Sequence, residues 1–186
     1  MKNRRESTKK HLCTTFDLGR YNYCCIPIPP GFLLLVFNST GILQVSLYRD
    51  YPGVIDERLQ RKNLPWPGLM EDIAAYFKGD VVSFNYPLIM EGYSSFVQKI
   101  LQLTRWIPYG QVFSYGELAR KAGHPKAARA VGQALGENRT PILIPCHRVV
   151  KKDGALGGFS TGISWKRELL NLEKVSGMGV SKNFDS

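Results

Sequence analysis

At 186 residues and 44% apolar composition, the chain can bury the core of one large domain or two small ones. No apolar run approaches the roughly 20 residues of a membrane-spanning helix. The basic segment Met1 to Lys10 has no apolar stretch behind it that would read as a secretory signal, so an intracellular protein with mostly reduced cysteines is expected.

The formal net charge is +10, and its placement is uneven. Residues 89–174 carry 13 Lys/Arg against 6 Asp/Glu, residues 11–88 carry 6 against 7, and residues 1–10 carry 5 against 1. A basic C-terminal half fits a polyanionic partner, most simply nucleic acid. A solvated basic surface is the plainer alternative.

Taken in chain order, residues 1–10 read as a basic disordered tail. The apolar runs Phe32–Phe37 and Ile42–Leu47 flank Asn38-Ser39-Thr40-Gly41, the pattern of a β-hairpin with a four-residue turn. Pro65-Trp66-Pro67 leads into a helix with Leu69, Ile73 and Phe77 on one face, ended by Gly79. Val81 to Pro87 reads as a linker or short strand, and composition and charge both change near residue 88. The expected organisation is therefore an N-terminal α/β support domain (11–88) with an antiparallel sheet, a mainly helical domain (89–174), and a flexible tail (175–186).

In the second half, Phe96, Ile100, Leu103 and Trp106 follow helical spacing from Ser94 and are expected to face a core. Ser114-Tyr115-Gly116-Glu117 has the form of a capping box opening a short helix that ends near Gly123. His124-Pro125 is expected to open the next helix, with Pro125 in its first turn and Ala128, Val131 and Leu135 apolar. Two short helices joined by a Gly-containing turn make a helix-turn-helix. Lys126, Arg129 and Gln133 share the face opposite the core, while Ala127, Ala130, Gly132 and Gly136 keep the helix slim. Such a helix can approach a DNA groove closely, or pack tightly on a neighbour; both are open.

Cys146 stands in Pro141-Ile142-Leu143-Ile144-Pro145-Cys146-His147-Arg148-Val149-Val150. The aliphatic run reads as a strand, and Pro145 stops it in a fixed turn that presents sulfur. A thiol beside His147 and Arg148 is expected to be held as thiolate, the nucleophilic form. A Cys-His pair suits alkyl transfer and acyl hydrolysis alike, and a helix-turn-helix suits a non-catalytic DNA-binding protein. Turnover separates the hydrolase; reaction with alkylated DNA separates the binder.

The ordered set Ile107-Pro108-Tyr109-Gly110, Ser114-Tyr115, Ala128-Arg129-Ala130-Val131-Gly132, Asn138 and Pro141–Val149 resembles the O6-alkylguanine-DNA alkyltransferases, from about Ile107 to Glu173. Residues 11–88 resemble that family only in general layout. Related alkyltransferase-like proteins have Trp at the nucleophile position, where this chain has Cys146.

The resemblance implies that Cys146 takes an alkyl group from guanine O6 once and irreversibly, in double-stranded DNA, with no cofactor. It implies that His147 relays the thiol proton through a water, that Glu173 orients His147, and that Asn138 braces the turn before Cys146. Without the resemblance, Glu173 would read as a solvated helix-end carboxylate and Asn138 as a helix C-cap. Arg129 would replace the flipped base in the stack, with Ala128, Lys126 and Gln133 beside it on DNA. Tyr115 would meet the neighbouring phosphate and donate to guanine N3; from its position alone it fits core or surface equally.

The implied pocket holds Pro141, Val149, Gly157, Phe159, Ser160 and Thr161, with the carbonyls of Cys146 and Val149 reading the guanine edge. Phe159 stands where many members have Tyr, which removes a hydroxyl but keeps a stacking wall. Thr161 stands where some have Gly, and its branched side chain narrows the pocket, so benzyl groups are expected to fit less well than methyl. Some members carry zinc in the N-terminal domain. Here His11, Cys13, Cys24 and Cys25 lack the usual Cys-x-x-Cys spacing, so no metal is expected. A monomer, cytoplasmic or nucleoid-associated (nuclear in a eukaryote), completes the expectation.

Overall fold

The computed structural model describes residues 16–53 and 55–175; the expected tails at 1–10 and beyond 175, with His11 and Cys13, lie outside the described residues apart from Val175. The described residues divide between two units, one ending at Ile89 and the other beginning at Met90.

In the first unit a 3-10 turn (Leu18–Arg20) precedes β1 (Asn22–Ile28), β2 (Gly31–Phe37), β3 (Ile42–Tyr48) and the short β4 (Gln60–Arg61). The sheet order is β3-β2-β1-β4. The first three strands are antiparallel, and β4 adds a parallel edge to the expected antiparallel sheet. The hairpin β2–β3 follows from its apolar runs, and its turn is held by Asn38, whose Oδ1 accepts from Thr40 N at 2.8 Å and Gly41 N at 3.1 Å. Strand alternation sends Leu34 and Val36 into a cluster with Leu18, Tyr21, Leu43, Ile55 and Leu59, while Leu33, Leu35 and Phe37 are buried on the other face.

Gly31 is required by close approach. A Cβ there would lie 2.0 Å from the Tyr48 carbonyl oxygen. Sequence reading missed β1 because Asn22, Tyr23, the two cysteines and Pro27 interrupt any apolar period. Helix α1 (Leu69–Lys78) buries Leu69, Ile73, Tyr76 and Phe77, and Gly79 ends it at φ +96°. Val81 to Pro87 forms no regular element; Leu88 makes a single bridge to Ile42.

The second unit contains α2 (Ser95–Arg105), β5 (Phe113–Ser114), α3 (Tyr115–Lys121), α4 (Ala128–Gly136), a 3-10 turn (Cys146–Arg148), β6 (Val149–Val150) and α5 (Ile163–Leu172). Ser94 caps α2, its Oγ accepting from Val97 N at 3.3 Å. The capping box at α3 is complete, with Ser114 Oγ and the Glu117 carboxylate satisfying each other's backbone N–H groups. Helices α2, α3 and α4 pack on one another through Val97, Ile100, Leu101, Leu118, Ala119, Val131, Ala134 and Leu135.

Two expectations fail here. Trp106 is 80% exposed, because α2 ends at Arg105 and Trp106 sits at its cap rather than on its buried stripe. Pro125 lies in a turn closed by Ala127 N on the His124 carbonyl, and α4 begins only at Ala128. Lys126 is consequently outside the helix.

Candidate functional site: a buried thiol and its charged surroundings

The approach to Cys146 is a turn rather than a strand. Pro141 and Ile144 bridge each other, Ile144 N donates to the Thr140 carbonyl at 2.9 Å, and Ile142 adopts φ +75°. A buried β-branched residue in the left-handed region stores backbone strain of order 1–3 kcal/mol. The neighbourhood that imposes it is local. Asn138 Oδ1 accepts from Thr140 N at 3.0 Å, and its Nδ2 donates to the Ile144 carbonyl at 3.0 Å. Side-chain bonding of this kind outcompetes the strand propensity of the aliphatic run. The same Nδ2 also lies 3.0 Å from Cys146 Sγ, so Asn138 braces the turn and touches the sulfur.

After Pro145 the chain tightens into the 3-10 turn Cys146–Arg148, with Val149 N bonded to the Cys146 carbonyl. Strand β6 then pairs in parallel with β5, Phe113 opposite Val149 and Ser114 opposite Val150. That pairing sets the start of α3, and hence Tyr115, beside the chain that leaves the thiol.

His147 and Glu173, 26 residues apart, meet because α5 ends at Leu172 with Glu173 as its cap. His147 Nε2 lies 2.8 Å from Glu173 Oε1, both side chains fully buried. Arg148 grips the same carboxylate with Nε to Oε2 and Nη2 to Oε1, each at 2.9 Å, while its Nη1 donates to the Ile107 carbonyl at 2.6 Å. Gly110 N adds a contact to Oε2 at 3.3 Å, and Tyr109 Oη donates to the Leu172 carbonyl at 3.2 Å. The Ile107–Gly110 loop is thus the frame around Glu173. Burial alone would raise the Glu173 carboxyl, but the hydrogen bond from His147 and the hydrogen bonds and charge of Arg148 outweigh it and hold it at about 2. Glu173 is therefore a carboxylate, an acceptor only, and His147 Nε2 must carry the proton toward it. Nδ1 is then the lone-pair nitrogen. Burial keeps the imidazole neutral by pushing its pKa down.

The structure corrects the expected source of thiol activation. The guanidinium of Arg148 faces Glu173, and Cys146 is 5% exposed. Burial pushes its thiol up, opposed by the Asn138 hydrogen bond and the charge of Lys166. At neutral pH the resting form is the thiol, so a base is required to generate the nucleophile. Lys166 is the cation that sequence reading missed. Its side chain is fully buried on α5, with Nζ donating to the Val149 carbonyl at 2.6 Å and lying 5.9 Å from the Tyr115 ring centroid. Burial lowers its pKa to about 8, against the attraction of Cys146. The signal was present: Lys166 occupies the same helical stripe as buried Leu169 and Leu170.

Tyr115 is half-buried, and its phenol is held protonated by burial and then by the proximity of Cys146. Its ring lies against Gly132 of α4, where a Cβ would stand 3.6 Å away, so the slimness of α4 is in part a packing feature. Gly157 also requires its glycine: φ is +69°, and a Cβ would fall 2.6 Å from Tyr115 Oη. Tyr115 thereby links the helix-turn-helix to the 157–162 loop. In that loop Phe159 is edge-on to His147 with centroids 6.3 Å apart, Ser160 is exposed, and the buried Thr161 Oγ1 has no hydrogen-bond partner among the described residues. Pro141 and Val149 are buried, and the Val149 carbonyl already accepts from Lys166. On α4, Arg129 and Gln133 are exposed, Ala128 is partly buried, and Lys126 is exposed in the turn before the helix. No helix among the described residues is long and apolar enough to cross a membrane.

The chain is similar to known proteins along most of its length. Residues 95–175 match the family described as 6-O-methylguanine DNA methyltransferase, DNA binding domain. The chain is 39% identical over 155 residues to the methylated-DNA–protein-cysteine methyltransferase of Haemophilus influenzae, spanning 82% of this chain and 86% of that one. It is 43% identical over 153 residues to the protein of the same name from Methanosarcina acetivorans, covering 81% and 97%. The crystal structure of Mycobacterium tuberculosis OGT in complex with DNA matches with a TM-score of 0.72 at 36% identity, over 82% of this chain and 92% of that chain. A buried cysteine, a histidine–carboxylate pair and a helix-turn-helix on one unit thus accompany sequence similarity along most of the chain, which belongs to the methylated-DNA–protein-cysteine methyltransferase family.

Proposed function

We propose that the protein repairs DNA by moving an alkyl group, methyl above all, from guanine O6 to Cys146 Sγ in a single irreversible event. The observation that carries this reading is Cys146 Sγ held by Asn138 at 3.0 Å beside a buried His147–Glu173 pair. His147 Nδ1 takes the thiol proton through a water. The thiolate attacks the alkyl carbon, an S–C bond forms, and the C–O6 bond breaks with its electron pair staying on guanine. Guanine regains one proton, so the proton lost by sulfur balances the one gained by the base. The thioether has no route back, and each molecule acts once.

Lys166 stabilises the thiolate as it forms, and Tyr115 donates a hydrogen bond to guanine N3 as charge develops there. The lesion reaches sulfur only outside the duplex, at a cost of a few kcal/mol for flipping. Arg129, exposed on α4, fills the vacated place from the minor groove, with Ala128, Lys126 and Gln133 against the backbone. Pro141, Val149, Gly157, Phe159, Ser160 and Thr161 line the pocket. The partner is double-stranded DNA containing O6-alkylguanine, met by a monomer in the cytoplasm or nucleoid, or in the nucleus of a eukaryote.

The test is incubation with an O6-methylguanine duplex followed by mass mapping of the peptide that holds Cys146. One added methyl, lost in Cys146→Ala, is the expected result; intact lesion with unmodified sulfur would refute the reading. Replacing Arg129 with Ala is expected to slow repair in duplex more than reaction with a free modified base.

A further inference from the structure

Asn138 touches the sulfur, yet it sits just beyond the end of α4, where a helix normally frays. A side chain from a distant part of the sequence prevents this. Tyr93, in the segment leading into α2, donates from Oη to the Glu137 carbonyl at 3.1 Å and accepts from Arg139 N at 2.9 Å. One hydroxyl therefore spans both peptide groups flanking Asn138. The Arg139 guanidinium lies over the Tyr93 ring, 3.9 Å from its centroid, and its Nη2 donates to the Glu91 carbonyl at 2.7 Å. The Tyr93 carbonyl is itself held by Gln98 Nε2 at 3.0 Å, which anchors the phenol to α2.

We infer that Tyr93 is a positioning residue for the reaction: through the Glu137 and Arg139 peptides it fixes the orientation in which Asn138 bonds Cys146 Sγ. Asn138 has only two Nδ2 protons, one for the Ile144 carbonyl and one for sulfur. A small rotation of its backbone loses the weaker bond, the one to sulfur, before the one to the carbonyl. Arg139 clamps the ring so that the hydroxyl cannot swing away. The inference rests on Cys146 being the alkyl acceptor, but the iodoacetamide arm of its test does not.

Tyr93→Phe keeps the ring and the guanidinium stack and removes only the hydroxyl. Two readouts are needed: the methyl-transfer rate on an O6-methylguanine duplex, and the pH midpoint of Cys146 alkylation by iodoacetamide, mapped by peptide mass. Expected are transfer slowed about tenfold, a midpoint moved to higher pH, and DNA affinity unchanged. In an Asn138→Ala background, the same substitution should change neither readout further. Arg139→Gln, which keeps the Arg139 peptide N–H but loses the stack, should move both in the same direction by less. An unmoved midpoint in Tyr93→Phe, or an equal loss in the Asn138→Ala background, overturns the inference. Because the iodoacetamide midpoint is read without DNA, absence of methyl transfer in the parent protein would sink the proposed function while leaving this test intact.

Discussion

The two units solve the problem of burial in opposite ways. Around β2, five consecutive residues from Leu33 to Phe37 are buried, and on β3 the buried side chains of Gln44 and Ser46 bond each other at 2.9 Å. Around Cys146, the second unit buries Asn138, His147, Arg148, Lys166 and Glu173. Burying ions costs stability unless each is paired, so a region rich in them signals chemistry rather than packing economy. The first unit rests on the packing of apolar shapes; the second depends on each polar partner being present.

The largest test of that contrast is Glu173→Ala. It leaves Arg148 without its carboxylate and His147 without its orienting acceptor, so a loss of about 3–5 kcal/mol in stability is expected, together with loss of methyl transfer. Leu34→Ala, at a fully buried site in the first unit, is expected to cost about 2–5 kcal/mol by cavity formation. Its folded fraction should transfer methyl at the parent rate. Denaturant titration paired with single-turnover kinetics separates the two, and a slow folded fraction in Leu34→Ala would erase the contrast.

Acid sharpens it next. The Glu173 carboxyl is held at about 2 in the folded protein against an ordinary 4.5. The unfolded chain therefore binds more protons between those values. The contribution of Glu173 is whole above about 4.5 and is lost as pH falls toward about 2. Melting temperature followed over that window should fall more steeply for the parent protein than for Glu173→Gln; identical slopes would place the acid sensitivity elsewhere.

A smaller effect is expected from Lys166→Met, which keeps volume and removes charge. The iodoacetamide midpoint of Cys146 should rise, because the charge that favours the thiolate is gone; an unmoved midpoint would show that Lys166 does not act on the sulfur. In the parent, the same support fades as pH rises through about 8, where Lys166 itself loses its proton. The smallest concerns Thr161→Gly, expected to raise benzyl transfer relative to methyl severalfold by widening the loop. Equal benzyl and methyl rates in the parent chain would remove its rationale.

Parts of this design were legible from residue order. The β2–β3 hairpin, α1 with its Gly79 stop, the Ser114–Glu117 capping box and the small-residue helix around Arg129 all follow local rules of period, cap and turn. Those rules fail where side chains compete with propensity. The Pro141–Ile144 run has strand composition, yet Asn138 bends it into a turn. Strand β1 escapes notice because cysteines and Pro27 break its pattern, and it is held by pairing along β2 and, at its start, with β4.

The amino-acid order by itself determined which segments become helix or hairpin, and it marked Cys146 as a reactive thiol by its unusual neighbours. Only the tertiary structure decided how the charges pair. Arg148 turns from the adjacent cysteine to Glu173, 25 residues away, and Lys166 enters the core to bond the Val149 carbonyl, where its charge favours the thiolate. The reason is physical: secondary structure is encoded over a few residues, whereas a buried charge goes wherever packing brings its partner within hydrogen-bond reach.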